Sequence, residues 1–149
     1  MGLAVPRELV AYLSGMPALG TAESVIPLLT VDAAGFPHGC LLSRGQIAAT
    51  GSEIQLAVTS PGTRGNLHER GRGLLLVALG DTVHHCKLRL LRLDEADELL
   101  VASCELVAHK ADSLGIALAP MTFVASPEIA RFERWEEVAS RLEAIADEH

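Results

Sequence analysis

The chain is 149 residues long and carries 12 Lys and Arg against 19 Asp and Glu, a net charge of −7; 49% of it is hydrophobic, with only one Trp, one Tyr and three Phe. A chain of this length buries a sizeable core without cross-links, and one domain over residues 1–149 is expected. With no basic stripe to neutralise phosphates and few rings on which bases could stack, nucleic-acid binding is excluded, and no apolar run is long enough to cross a bilayer as a helix.

Residues 6–16 read as a short helix: Pro6 suits the first turn, Leu9, Val10, Leu13 and Met16 share one face, and Gly15 can end it. The pattern then changes to that of strands. Residues 25–31 form an apolar strand whose Pro27 confines it to a sheet edge or a bulge. Asp32-Ala33-Ala34-Gly35 is a turn in which Gly35 can take a positive φ. Residues 38–49 return as a second strand, bent at Gly45. Residues 53–59 make a third, alternating Ile54, Leu56 and Val58 with Glu53, Gln55 and Ala57.

Residues 60–73 break the alternation with turns that bracket a short helix over 63–70. Residues 74–79 are apolar on both faces, the mark of a central, fully buried strand. Residues 84–93 alternate again, with Cys86, Leu88 and Leu90 opposite Lys87 and Arg89. An acidic turn over 94–97 then makes residues 99–109 a sixth strand, although their spacing also fits a helix. Ser126, Pro127 and Glu128 are the cap, first turn and dipole partner of a last helix. Its Ile129, Phe132, Trp135, Val138, Leu142 and Ile145 recur on one face over about 30 Å.

Six short antiparallel strands, with a helix inserted after the third and helices at both ends, restrict the architecture to small, mainly β barrels. The inserted segment carries the chemistry. Ser60, Thr63 and Arg64 stand ahead of Asn66 at a helix N-terminus, with Gly62 and Gly65 letting the backbone approach a ligand closely. Unpaired N–H groups, hydroxyls and one guanidinium suit a phosphate or another small anion. The basic residues bunch in 64–72 and 87–92 of an acidic chain, which again fits a small anionic ligand better than a polyanion.

Residues 25–38, with Thr30-x-Asp32-x-x-Gly35-x-Pro37 at their turn, resemble the opening hairpin of the pyridoxamine 5'-phosphate oxidase-like family. Residues 60–72 resemble that family's next signature, a Ser/Thr-rich turn leading to Asn66-Leu67 and then an Arg pair before a buried strand. The likeness extends over residues 25–109. It implies a six-stranded antiparallel split β-barrel of the FMN-binding type, with an inserted short helix and N- and C-terminal helices. It also implies a homodimer holding two FMN molecules at the subunit interface, an oxidoreductase acting on a small or planar substrate. Carried onto this chain, the resemblance lays Leu41, Leu42 and Ser43 along the flavin ring. It sets Ser60, Thr63, Arg64 and Asn66 around the phosphate, with Arg44 a second cation.

Gly62 and Thr63 stand where many flavin-binding members of that family carry a basic pair. The alternative is therefore a non-catalytic split-barrel dimer that has lost FMN or binds another planar ligand, such as haem or a deazaflavin. Glu133, Trp135, Arg141 and Leu142 match the spacing of the oxidase's C-terminal signature, but Glu143-Ala144-Ile145 replaces the His-Asp-Arg that should follow. Pyridoxal phosphate synthesis is not expected. Nor is a protein acid or base, since a flavin carries its own redox chemistry.

Three cysteines at unpaired spacings (Cys40, Cys86 and Cys104) and an N-terminus without signal-peptide character point to reduced thiols in a cytoplasm. His84 and Cys86 share a strand face, but no Cys-x-x-Cys or His-x-x-x-His spacing accompanies them, and no metal site is expected.

Overall fold

The computed structural model describes residues 2–148. Seven strands pair antiparallel in one sheet: β2 (Ile26–Val31), β3 (Pro37–Leu42), β4 (Ile47–Ala49), β5 (Ile54–Val58), β6 (Arg72–Leu79), β7 (Thr82–Ala96) and β8 (Leu99–Ser113). Their spatial order is β3-β2-β6-β7-β8-β5-β4, so β3 and β4 lie at opposite edges. Seven strands laid flat would span about 29 Å at ~4.8 Å spacing. The chain steps from Leu42 on one edge to Ile47 on the other, a reach of at most about 18 Å. The sheet therefore curls until its edges approach, which makes a split barrel.

Inward positions of the curled sheet supply the core. Leu28, Leu75, Val77, Cys86, Leu56 and Leu100 are fully buried there, and Leu9 and Leu13 of α1 (Arg7–Leu13) join them. A second apolar cluster forms on the other face of β5 and β8, where Val138, Leu142 and Ile145 of α4 (Trp135–Glu148) cover Ala57, Leu99 and Val101. Burying such side chains is the main stabilising term, about 1.5–3 kcal/mol each for the larger ones.

The strand count exceeds the six expected because residues 38–49 are not one bent strand. A 3₁₀ turn over Arg44–Gln46 divides them into β3 and β4 and carries the chain across the split. Ser43 and Gln46 fix that turn reciprocally: the Ser43 N–H donates to Gln46 Oε1 at 3.1 Å, and the Gln46 N–H to the Ser43 carbonyl at 3.0 Å. Gly45 is needed because the Trp135 indole packs against it; a Cβ there would lie 2.8 Å from Nε1.

Other expectations also change. Pro27 does not put β2 at an edge, since β2 lies between β3 and β6; its ladder to β6 involves only Leu28 and Leu29, leaving Pro27 outside it. β5 is buried on both faces rather than alternating, because α4 covers its outer side. β6 buries only Leu75 and Val77, while Leu74 and Leu76 stay half-buried on the outer face. The first helix ends at Leu13, so Met16 is exposed. The long terminal helix is two: α3 (Pro127–Phe132), capped by the Ser126 hydroxyl, and α4, separated by Arg134 in the left-handed region at φ 58°. Phe132 is consequently 83% exposed, at the rim of a cleft, and does not anchor the helix against the barrel. A ribbon of β1 (Ala22–Ser24) and β9 (Thr122–Val124), absent from the sequence pattern, ties the segment before β2 to the segment before α3.

Candidate functional site

The inserted helix, α2 (Pro61–Arg70), begins with Pro61 in its first turn, where a missing N–H costs nothing. The Ser60 hydroxyl makes no capping bond, and no acidic residue stands in the first turn. Within that turn the buried Arg64 Nε has no hydrogen-bond partner among the described residues, and the fully buried Thr63 hydroxyl has only the Cys40 thiol, a weak partner, within reach. Orphaned buried donors are uncommon and costly, so this end of α2 is chemically unfinished. The His38 ring rests over Gly62, where a Cβ would approach to 2.9 Å.

Beside this turn lies a cleft of about 380 Å³. Its walls are Cys40, Leu41 and Leu42 of β3, Gln46 of the 3₁₀ turn, Thr59 and Ser60 leading into α2, and Glu133 from the corner between α3 and α4. Leu41 is exposed at its mouth, whereas Leu42 is also part of the barrel core. Ser43 is buried and donates its hydroxyl to Glu133 Oε1 at 3.0 Å. Burial pushes the Cys40 thiol above its ordinary value.

Of the residues singled out from sequence, the structure brings Leu41, Leu42 and Ser60 to one cleft, with Ser43 behind its wall and Thr63 in the adjoining turn. Arg64 has its guanidinium 3.6 Å from Glu95. Two residues are occupied elsewhere. Arg44 forms a two-point ion pair with the buried Glu23, donates to the Tyr12 carbonyl and covers the Tyr12 ring at 5.0 Å, so it ties β1 to α1 and is no second cation for the cleft. Asn66 donates to Thr30 Oγ1 at 3.0 Å and accepts from Arg70 at 3.1 Å, pinning α2 to β2. Gln46 and Glu133 line the cleft without any local sequence pattern that marks them as site residues. The one hint for Glu133 is the Trp135 indole two residues on, a donor that needs an acceptor when buried and finds Glu133 Oε1 at 2.6 Å.

A larger hollow of about 520 Å³ lies on the barrel's outer face between Leu29, Val31, Leu74 and Val107, near Arg72 and Lys87. It has neither a helix terminus nor orphaned polar groups, and the smaller cleft is the better candidate. His84 and His109 meet with ring nitrogens 2.9 Å apart, and Glu8 lies 3.8 Å from His84. Among the described residues no group of three or more His, Cys, Asp or Glu is placed to hold a metal ion. No helix among them is long and apolar enough to cross a membrane.

No protein-family model matches the sequence, and no curated protein matches it. Solved structures do resemble the fold. The styrene monooxygenase flavin reductase of Pseudomonas putida S12 superposes with a TM-score of 0.55 at 11% identity, over 81% of this chain and 94% of that one. An FMN-binding protein from Syntrophomonas wolfei subsp. wolfei gives 0.51 at 18% identity over 60% and 77% of the two chains, and an F420 reductase 0.51 at 12% over 64% and 98%. In fold, this chain is a split barrel like that flavin reductase, the FMN-binding protein and the F420 reductase.

Proposed function

We propose that the chain binds FMN in the cleft between β3 and α2 and acts, as a homodimer, as an oxidoreductase on a small or planar substrate. The observation that carries this is the first turn of α2, which holds no acidic residue of its own and where Arg64 Nε and the Thr63 hydroxyl are buried without a strong hydrogen-bond partner among the described residues. A phosphoryl group fits that donor set: backbone N–H groups, the Ser60 and Thr63 hydroxyls, and one guanidinium. Flavin reductases and an FMN-binding protein among the structural neighbours support the same class of chemistry.

When bound, the flavin supplies hydride and electron transfer. The chain's own residues position it and keep water out. Ser60, Thr63 and Arg64 hold the anionic end, while Leu41 and Leu42 offer an apolar wall to the ring and Ser43 fixes that wall through Glu133. Arg44 and Asn66 serve the site indirectly, by keeping the 3₁₀ turn and α2 in place. Exposed Leu41 and Phe132 at the mouth are the surface a second copy would cover, at 59% and 83% exposure. The three free cysteines accord with a cytoplasmic protein.

The test is titration of FMN and riboflavin followed by flavin fluorescence quenching. FMN should bind at least tenfold tighter than riboflavin, and Ser60→Ala combined with Thr63→Val should erase most of that difference, each lost bond to a charged group being worth about 1.5–3 kcal/mol. A protein that leaves FMN fluorescence unchanged overturns the proposal, and a clean monomer in light scattering at micromolar concentration overturns the dimer. The proximity of Arg64 to Glu95 favours a second reading, a non-catalytic dimer without flavin. A Soret band on adding haem would redirect that reading to haem.

A further inference from the structure

Glu133 does more in the cleft than hold Ser43. Glu133 stands where α3 ends, and left-handed Arg134 turns the chain so that Trp135 packs on Gly45. Two donors from different elements fix the same carboxylate oxygen: the Trp135 indole N–H at 2.6 Å and the Ser43 hydroxyl at 3.0 Å, both on Oε1. The other oxygen, Oε2, makes no hydrogen bond or ion pair among the described residues, although Glu133 lines the cleft. Its charge reaches across to Cys40, whose thiol is raised by burial first, lowered in part by the Thr63 hydroxyl, and raised last and least by this carboxylate.

An oriented carboxylate with one spare oxygen is an acceptor waiting for a donor. The cleft thus has two unlike ends, the acid-free first turn of α2 and the spare carboxylate oxygen of Glu133, with the apolar side chains of Leu41 and Leu42 also on its walls. A ligand that satisfies all three has a negative tail, a flat apolar body and an N–H on its far edge. We infer that Glu133 is a specificity-determining residue that accepts, through Oε2, a hydrogen bond from the imide N–H of the ring bound in this cleft. The inference rests on the flavin proposal. It adds that the chain selects rings carrying such an N–H over rings of equal size and charge that lack it.

The experiment compares FMN with 3-methyl-FMN, in which a methyl group replaces the imide hydrogen, by fluorescence quenching on the full chain. Wild type should prefer FMN by about tenfold or more, the size expected for one hydrogen bond to a charged group. Glu133→Ala should bring the ratio close to one without abolishing the preference of FMN over riboflavin. Should Glu133→Ala not fold, as judged by its melting transition, Glu133→Gln decides: a ratio cut by half or more supports the inference, and an unchanged ratio overturns it. A wild-type ratio near one, or a ratio that survives Glu133→Ala, overturns the role of Glu133 while leaving flavin binding intact. Wild type that binds neither compound overturns the flavin proposal, and this inference with it.

Discussion

At position 45 the side chain is absent because Trp135 occupies the place where one would begin. Glycine here serves close packing and not a special backbone conformation, so Gly45→Ala should cost about 1–3 kcal/mol through overpacking and lower the melting temperature by several degrees. His84 makes a different kind of residue-level prediction. Its pKa is lowered, by burial first and by His109 next, with Glu8 opposing. The unfolded chain therefore binds this proton more readily than the native one. Stability should be full above the ordinary histidine value of about 6.5 and fall as the pH drops from there towards the lower folded value. Chemical denaturation between pH 7.5 and 5 should show that decline, and His84→Gln should flatten it. A slope identical in the variant would assign the effect to other groups.

Among the elements, the β7–β8 hairpin shows how far local sequence reaches. Its alternation of Cys86 and Leu88 against Lys87 and Arg89 is legible because one face meets the core and the other does not. Its turn lies slightly later than the acidic run over 94–97 suggests: Ala96 pairs with Leu99, and Asp97 and Glu98 between them both have positive φ, 52° and 64°. Turns of this kind favour Asn-Gly, and a non-glycine residue in that region costs about 1–2 kcal/mol. Glu98→Gly should therefore raise the unfolding free energy by roughly 0.5–1 kcal/mol, after the greater chain freedom of glycine is deducted, a gain that a urea titration would resolve. The turn tolerates its acids because two arginines clamp it: Arg134, just before α4, donates to the Asp97 carbonyl, and Arg141 of α4 to the carbonyls of Asp94, Ala96 and Leu99.

What the sequence hid were breaks imposed from far away. Residues 38–49 carry a strand pattern, and only Trp135 and Ser43's partner Glu133, 90 positions on, explain why they divide. Arg134 gives no local sign that it ends a helix. The same distance conceals half the candidate site: Ser60 and Thr63 follow from helix-start chemistry, whereas Glu133 acquires its place only once the barrel has closed.

Across the molecule, the thiols report on that closure. Burial raises Cys86 to about 11 and Cys104 to about 12. Thiolates react and thiols do not, so a disulfide reagent at pH 8 should label Cys40 slowly and Cys86 and Cys104 only after unfolding. Three thiols reacting at one rate in the native protein would contradict the placement of the core. The step from β3 to β4 across the split has a consequence for how the molecule assembles. The β7–β8 hairpin needs only a two-residue reversal, so it is free to form on the microsecond scale. Contacts such as Leu28 with Leu75 and Ile54 with Cys104 join segments far apart in the chain, so complete refolding should take milliseconds to seconds, with Trp135 fluorescence among the last signals to settle.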